Sequence, residues 1–171
     1  PAVAVEPGEV AQRISAALDL NVTFGQFREL WSSIFLPETI IADEMLERLR
    51  RGRRLLLLSN TDSIHFQWVK ERYSLLRHFD DFVLSFELGM RKPEPAIYRE
   101  TTLRAGCEPG QIFFTDDRLD NVEGAQQGVA LGVVRAVDRL DARGAVHVPH
   151  RRDAAGALWP HVGDEQHERR N

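Results

Sequence analysis

Residues 54–61 have the sequence Arg-Leu-Leu-Leu-Leu-Ser-Asn-Thr and decide the fold class of this chain. A short apolar run that ends in polar residues is typical of a buried parallel strand entering a loop. We therefore predict a strand over Arg54–Leu58. Similar short apolar runs later in the chain predict three more strands, at Phe82–Ser85, Ile112–Thr115 and Leu131–Arg135.

Helical segments alternate with these strands. Helical spacing of apolar residues predicts helices over Ile64–Tyr73, Glu94–Ala105 and Leu119–Gln127. The alternation indicates an open parallel α/β sheet, whose ligands bind at the carboxyl ends of the strands. Because Ser59-Asn60 and Asp116-Asp117 fall at two of these ends, we expect the functional site there.

The two ends of the chain differ from this central part. Thr23 and Gln26 predict a capping box, and the first 36 residues predict two helices. A third helix is predicted from near Pro37 to Leu49, ending at Gly52. The pattern dissolves from about Asp138, and we expect a loosely ordered tail over residues 150–171.

The composition limits the class of protein. A chain of 171 residues that is 43% hydrophobic and 28% charged can build one soluble domain. A net charge of −4 gives no general case for nucleic acid or an acidic membrane as partner. No membrane-spanning run or secretory signal is visible. Cys107 has no second cysteine to pair with, so we expect a buried thiol and a cytoplasmic location. The oligomeric state stays open.

Lys92 is the first candidate for chemistry. The chain has 22 Lys and Arg residues, of which Lys70 and Lys92 are the lysines. An ammonium just before a helix can neutralise both an attacking carboxylate and a phosphoryl group. The alternative is a solvated surface lysine.

Asp116-Asp117 with Asn121 is the second candidate. Two adjacent carboxylates after an apolar strand are costly unless they bind a cation, and hard oxygen ligands suit Mg²⁺. The alternative is a helix N-cap, which explains one acid but not the cluster. The hydroxyl and amides of Ser59-Asn60 are the third candidate, suited to a phosphate oxygen, although the same pair also makes ordinary turns.

Three ordered motifs carry a family resemblance: Leu-Leu-Leu-Ser-Asn-Thr at 56–61, Gly-Met-Arg-Lys-Pro-Glu-Pro-Ala-Ile-Tyr at 89–98, and Phe-Phe-Thr-Asp-Asp-x3-Asn-x2-Gly-Ala at 113–125. Together they resemble haloacid dehalogenase-like hydrolases, and most closely the branch with a small helical cap that includes bacterial α-D-glucose-1-phosphate phosphatase. The resemblance implies a three-layer, Rossmann-like parallel sheet. It also implies a partial helical cap over residues 1–36, a hydrolase core over 37–149 and the tail over 150–171.

The resemblance also implies residue roles in hydrolysing a small phosphorylated metabolite through an aspartyl phosphate. Ser59, Asn60 and Thr61 hold the transferred phosphoryl group, and Lys92 and Ser59 act in catalysis. Mg²⁺ is bound by Asp117, with Asp116 and Asn121 in support.

The nucleophile of that family is missing from these residues. Its first motif has the form Asp-x-Asp or Asp-x-Gly on the central strand, and no Asp-x-Asp occurs in the chain. Val3–Val10 mimics the motif with Glu6 in the nucleophile's place, but we assign Val5–Val10 to the start of a cap helix. We therefore predict that the middle strand is absent, that two strands lack their shared partner, and that the isolated chain is inactive.

Two other functions remain open. The same scaffold supports 2-haloacid dehalogenase chemistry, which needs no metal. A catalytically inactive relative that acts as a binding protein is the second alternative.

Overall fold

Helices alternate with short parallel strands through most of the described chain. A computed structural model describes residues 6–39, 41–129 and 133–136. The elements in chain order are α1 (Pro7–Ala17), α2 (Phe24–Trp31), α3 (Asp43–Arg50), β1 (Leu56–Ser59), α4 (Ser63–Arg72), a 3-10 turn (Ser74–His78), β2 (Asp81–Leu84), α5 (Ser85–Leu88), α6 (Pro95–Ala105), a 3-10 turn (Pro109–Gln111), β3 (Phe113–Asp116), α7 (Leu119–Val129) and β4 (Val133–Ala136).

The described strands form two separate pairs. β1 pairs with β2 in parallel, with Leu56 opposite Asp81 and Ser59 opposite Leu84. β3 pairs with β4 in parallel, with Phe113 opposite Val133. No hydrogen-bonded ladder joins the pairs in the described residues. The absence of a middle strand stays a prediction.

Helices cover the strands from two sides. On one side, α6 and α7 contribute to a buried cluster against which Leu58 and Phe114 pack, and its buried members are Val83, Ile97, Tyr98 and Ala125. On the other side, Phe66 of α4 meets the ring of Phe82 edge-on, with centroids 5.3 Å apart. The three-layer, Rossmann-like α/β architecture expected from the sequence is confirmed. Phe113, however, remains 61% exposed, so within the described part of the chain β3 is covered on one face only.

The two N-terminal helices pack on α4. Ala11, Phe27 and Ile64 form one buried cluster that joins α1, α2 and α4. Trp31 Nε1 donates to Asp62 at 3.2 Å, and its carbonyl oxygen lies 2.8 Å from His65 Nε2. These contacts tie the end of α2 to the start of α4.

Several local predictions are confirmed. The Thr23–Gln26 capping box is present, and helices begin at Pro7 and Pro95. Glu6 is the N-cap of α1, which agrees with assigning this segment to a helix rather than to a strand carrying a nucleophile. The predicted tail over 150–171 lies outside the described residues. No helix within the described ranges is long and apolar enough to cross a membrane.

Two predictions are wrong. The third helix begins at Asp43, not near Pro37, and it ends at Arg50. Acidic residues in its first turn and arginines in its last complement the helix dipole, which favours this shorter span. Cys107 is exposed, not buried, because it follows Gly106, the left-handed C-cap at which α6 ends.

Candidate active site

The ammonium group of Lys92 joins the carboxyl ends of two strands. Its Nζ donates to the carbonyl oxygen of Leu58 in β1 at 2.9 Å and to Asp116 Oδ2 at the end of β3 at 2.6 Å. The side chains of Lys92 and Asp116 are 10% and 5% exposed, so this ion pair is largely shielded from water. Lys92 therefore bridges the two strand pairs at the edge where ligands of parallel sheets bind.

Asp116 is held by three donors. Besides Lys92, its carboxylate accepts from Asn121 Nδ2 at 2.8 Å and from the backbone N–H of Arg118 at 2.9 Å. Burial opposes ionisation of this carboxyl group, but the three hydrogen bonds and the Lys92 charge outweigh it and hold the pKa of Asp116 below its usual value. Asp116 is thus ionised at neutral pH.

Tyr98 of α6 holds the residue that binds Asp116, namely Asn121. Its hydroxyl donates to the carbonyl oxygen of Asn121 at 2.7 Å. Burial, reinforced by the charges of Asp116 and Asp120, raises the pKa of Tyr98 well above its usual value. The phenol therefore stays protonated and keeps its donor role.

Asn60 uses both ends of its amide on one residue. Its Oδ1 accepts from the backbone N–H of Lys92 at 2.8 Å, and its Nδ2 donates to the Lys92 carbonyl oxygen at 2.8 Å. The next residue, Thr61, exchanges two hydrogen bonds of 2.9 Å with the Ser85 hydroxyl through its backbone. The loop after β1 is thereby attached to the segments after β2.

The structure places the remaining predicted residues next to this network. Ser59 is the half-buried last residue of β1, and Asp117 is exposed directly after β3. Neither side chain donates or accepts a hydrogen bond with another described residue. Hydrogen bonds thus bring together Asn60, Lys92, Asp116 and Asn121, while Ser59 and Asp117 keep free polar groups beside them.

The oxygen donors at the end of β3 fit a hard cation. No group of three or more His, Cys, Asp or Glu side chains suited to a metal occurs in the residues that the structure describes. Mg²⁺, however, commonly takes one or two protein carboxylates and completes its shell with water and phosphate oxygens. The exposed, unbonded carboxylate of Asp117 beside Asp116 meets that requirement.

Three contributors to the site were not found in the sequence. They are the Leu58 carbonyl, the Ser85 hydroxyl and the Tyr98 phenol. A backbone carbonyl leaves no sequence signal at all. Ser85 had one, because a hydroxyl at the carboxyl end of a predicted strand is a candidate for binding the neighbouring loop.

Comparisons with known proteins show which family this chain resembles. A family model described as haloacid dehalogenase-like hydrolase matches residues 18–128. N-acylneuraminate-9-phosphatase from Mus musculus is 34% identical over 94 residues, which cover 53% of this chain and 38% of that protein. D-ribitol-5-phosphate phosphatase from Bacteroides thetaiotaomicron is 25% identical over 108 residues, covering 60% of this chain and 52% of that protein. The chain thus spans about half or less of these relatives.

Solved structures show the same likeness. A haloacid dehalogenase-family enzyme from Bacteroides thetaiotaomicron, crystallised with magnesium and inorganic phosphate, matches with a TM-score of 0.68 at 29% identity, covering 80% of this chain and 73% of that chain. A similar hydrolase from Porphyromonas gingivalis matches with a TM-score of 0.61 at 26% identity, covering 73% of this chain and 63% of that chain. Since the family model covers well over half of the residues, the chain belongs to the haloacid dehalogenase-like hydrolase family.

Proposed function

We propose that this chain is most of a Mg²⁺-dependent phosphatase for a small phosphorylated metabolite, for example a sugar phosphate. The observation that carries the proposal is the shielded ammonium of Lys92, held at the carboxyl ends of both β1 and β3. A fixed positive charge at that edge stabilises negative charge that develops on a transferring phosphoryl group. Relatives named as phosphatases of sugar-type phosphates support the same chemistry.

Each predicted site residue of the chain has its own role in this reaction. The Ser59 hydroxyl, free of other hydrogen bonds to described residues, donates to a phosphoryl oxygen. Lys92 neutralises the charge shared between that group and the attacking carboxylate. Asp117, with Asp116 and Asn121 beside it, would hold Mg²⁺, which supplies further positive charge to the phosphoryl oxygens.

The attacking carboxylate comes from outside these 171 residues. An aspartate at the end of a strand between β1 and β3 would attack phosphorus, form an aspartyl phosphate and release the alcohol. Water then hydrolyses that intermediate to inorganic phosphate. The lack of a ladder between β1 and β3 in the described residues supports this proposal, because a parallel strand could pair with both.

The test uses a chain extended at its N-terminus by an apolar strand that ends in Asp-x-Asp. We expect hydrolysis of p-nitrophenyl phosphate with Mg²⁺, and none from the 171-residue chain. Lys92→Ala should lower kcat by about 10²–10³-fold, as expected for losing one preorganised electrostatic contact. Lys70→Ala is the matched control, because Lys70 is the other lysine and lies exposed on α4. Turnover that survives Lys92→Ala unchanged contradicts the proposal.

The same assay separates the two alternatives. Dehalogenase chemistry needs no metal, so activity toward a 2-haloacid that persists in EDTA favours that function. The acidic pair Asp116-Asp117 argues against it. An extended chain that folds but turns over neither substrate favours an inactive binding protein.

A further inference from the structure

The main chain of Lys92 is clamped between two elements. On the β1 side, the Asn60 amide binds both the N–H and the C=O of Lys92, each at 2.8 Å. This pairing uses one of the two N–H donors and one of the two acceptor lone pairs of the Asn60 amide. The side chain that the sequence predicts to bind substrate thus also fixes the backbone of Lys92.

On the other side, Gly124 of α7 packs closely against Pro93, the residue that follows Lys92. A Cβ added at Gly124 would lie 2.7 Å from both the Cβ and the carbonyl oxygen of Pro93. Real Cβ atoms essentially never make such a contact with backbone, so any larger residue must displace Pro93 or α7. One turn later the approach is less close: a Cβ added at Gly128 would lie 3.3 Å from the Cα of Pro95.

We propose that Asn60 and Gly124 are positioning residues for Lys92: Asn60 fixes its main chain from the β1 side, and Gly124 lets α7 support Pro93 from the other. The Lys92 side chain then reaches Leu58 O and Asp116 at 2.9 and 2.6 Å. The importance of that placement rests on the proposed function, but the placement itself is tested without turnover.

The two lysines of the chain make the test specific. In protein labelled with ¹³C and ¹⁵N at lysine only, Lys92 and Lys70 give two side-chain signals, which Lys70→Arg assigns. Lys70 is exposed, whereas the Lys92 ammonium is shielded and hydrogen-bonded. At one fixed pH, we expect the ammonium hydrogens of Lys92 to exchange with water more slowly than those of Lys70.

Removing either the Asn60 or the Gly124 contact should make the Lys92 side chain more mobile and leave that of Lys70 unchanged. We expect Asn60→Ala to move the Lys92 signal toward that of Lys70 and to raise its hydrogen-exchange rate by about five- to thirtyfold, the effect of losing one to two net hydrogen bonds. Gly124→Ala should act in the same direction and Gly128→Ala less. Gly110→Ala, where an added Cβ meets nothing within 4 Å, should leave the Lys92 signal unchanged.

Two results overturn the inference. One is an unchanged Lys92 signal in Asn60→Ala and Gly124→Ala while the melting temperature falls, because both residues would then serve stability alone. The other is an equal response to Gly110→Ala. If Gly124→Ala does not fold, Gly128→Ala and Asn60→Ser supply the same comparison. Failure of the proposed function gives a different result, namely turnover by the extended chain that Lys92→Ala leaves unchanged.

Discussion

The Lys92–Asp116 ion pair makes a prediction about stability that needs no substrate. Lys92→Met keeps an unbranched stem of similar length but removes the ammonium. The carboxylate of Asp116, 5% exposed, would keep its hydrogen bonds from Asn121 and Arg118 and lose its counter-charge. We expect the free energy of unfolding to fall, because a shielded charge is left uncompensated.

The size of the effect follows from burial. Removing one partner of a buried pair costs about 3–5 kcal/mol, whereas exposed pairs contribute about 0.2–1 kcal/mol. With exposures of 10% and 5%, this pair belongs near the first class. Urea unfolding followed by far-UV circular dichroism measures the change. At a slope of about 2 kcal/mol per molar urea, the midpoint should fall by roughly 2 M.

A double-mutant cycle isolates the pair itself. Asp116→Asn removes the carboxylate charge while keeping an oxygen acceptor, and the double variant removes both charges. The double variant should be more stable than the sum of the single changes predicts, by at least about 2 kcal/mol. A coupling below about 1 kcal/mol would refute the reasoning, because that value is typical of solvent-exposed pairs.

The pH dependence has a definite sign. The pKa of Asp116 is lowered in the fold, so its contribution to stability is present above the unfolded pKa of about 3.9 and is lost as the pH falls through the lowered folded value. In Lys92→Met, the Lys92 hydrogen bond and charge that favour ionisation of Asp116 are gone. The difference in the free energy of unfolding between wild type and variant should therefore be largest at pH 7 and become smaller toward pH 3.

Two further predictions concern the contacts that hold the helices and β1 in place. Trp31→Phe removes the donor to Asp62 but keeps an aromatic ring against Phe27 and His65. We expect the free energy of unfolding in urea to fall by about 1 kcal/mol and the amide hydrogens of α2 to exchange faster. Unchanged exchange would contradict the attachment of α2 to α4. Asp80 accepts from the Leu55 N–H and from Arg50, and the Leu55 bond is the largest cause of its lowered pKa. Asp80→Ala should therefore cost more stability at pH 7 than at pH 3, and a cost independent of pH would show that the charge does not matter.

The elements of the fold were predictable because local patterns determine them. The apolar runs before Ser59 and Asp116 predict strands that the structure contains. Helix α6 begins at Pro95 and ends at the C-cap Gly106, as expected. The start of α3 was missed because Ile41 and Met45 continue the apolar spacing on either side of the real helix start. Periodicity finds a helix more reliably than it finds its first residue.

The site was predictable in part for a similar reason. Parallel strands bring their carboxyl ends to one edge, so Lys92 and Asp116 could be expected near each other. The pairing of Asn60 with the Lys92 backbone could not, because it joins residues 32 positions apart that both lie in loops, whose paths no local pattern defines. The contact of Gly124 with Pro93 likewise depends on how closely two elements approach.

Helix α6 determines whether the two strand pairs behave as one folding unit. Its Ile97 and Tyr98 are fully buried with Val83 of β2, and the Tyr98 ring meets Phe114 of β3 edge-on, with centroids 5.7 Å apart. With no ladder between β1 and β3 in the described residues, cooperativity between the halves must pass through contacts such as those of this helix and the hydrogen bonds of Lys92. Weakening it, for instance by Ile97→Ala, should separate one unfolding transition into two.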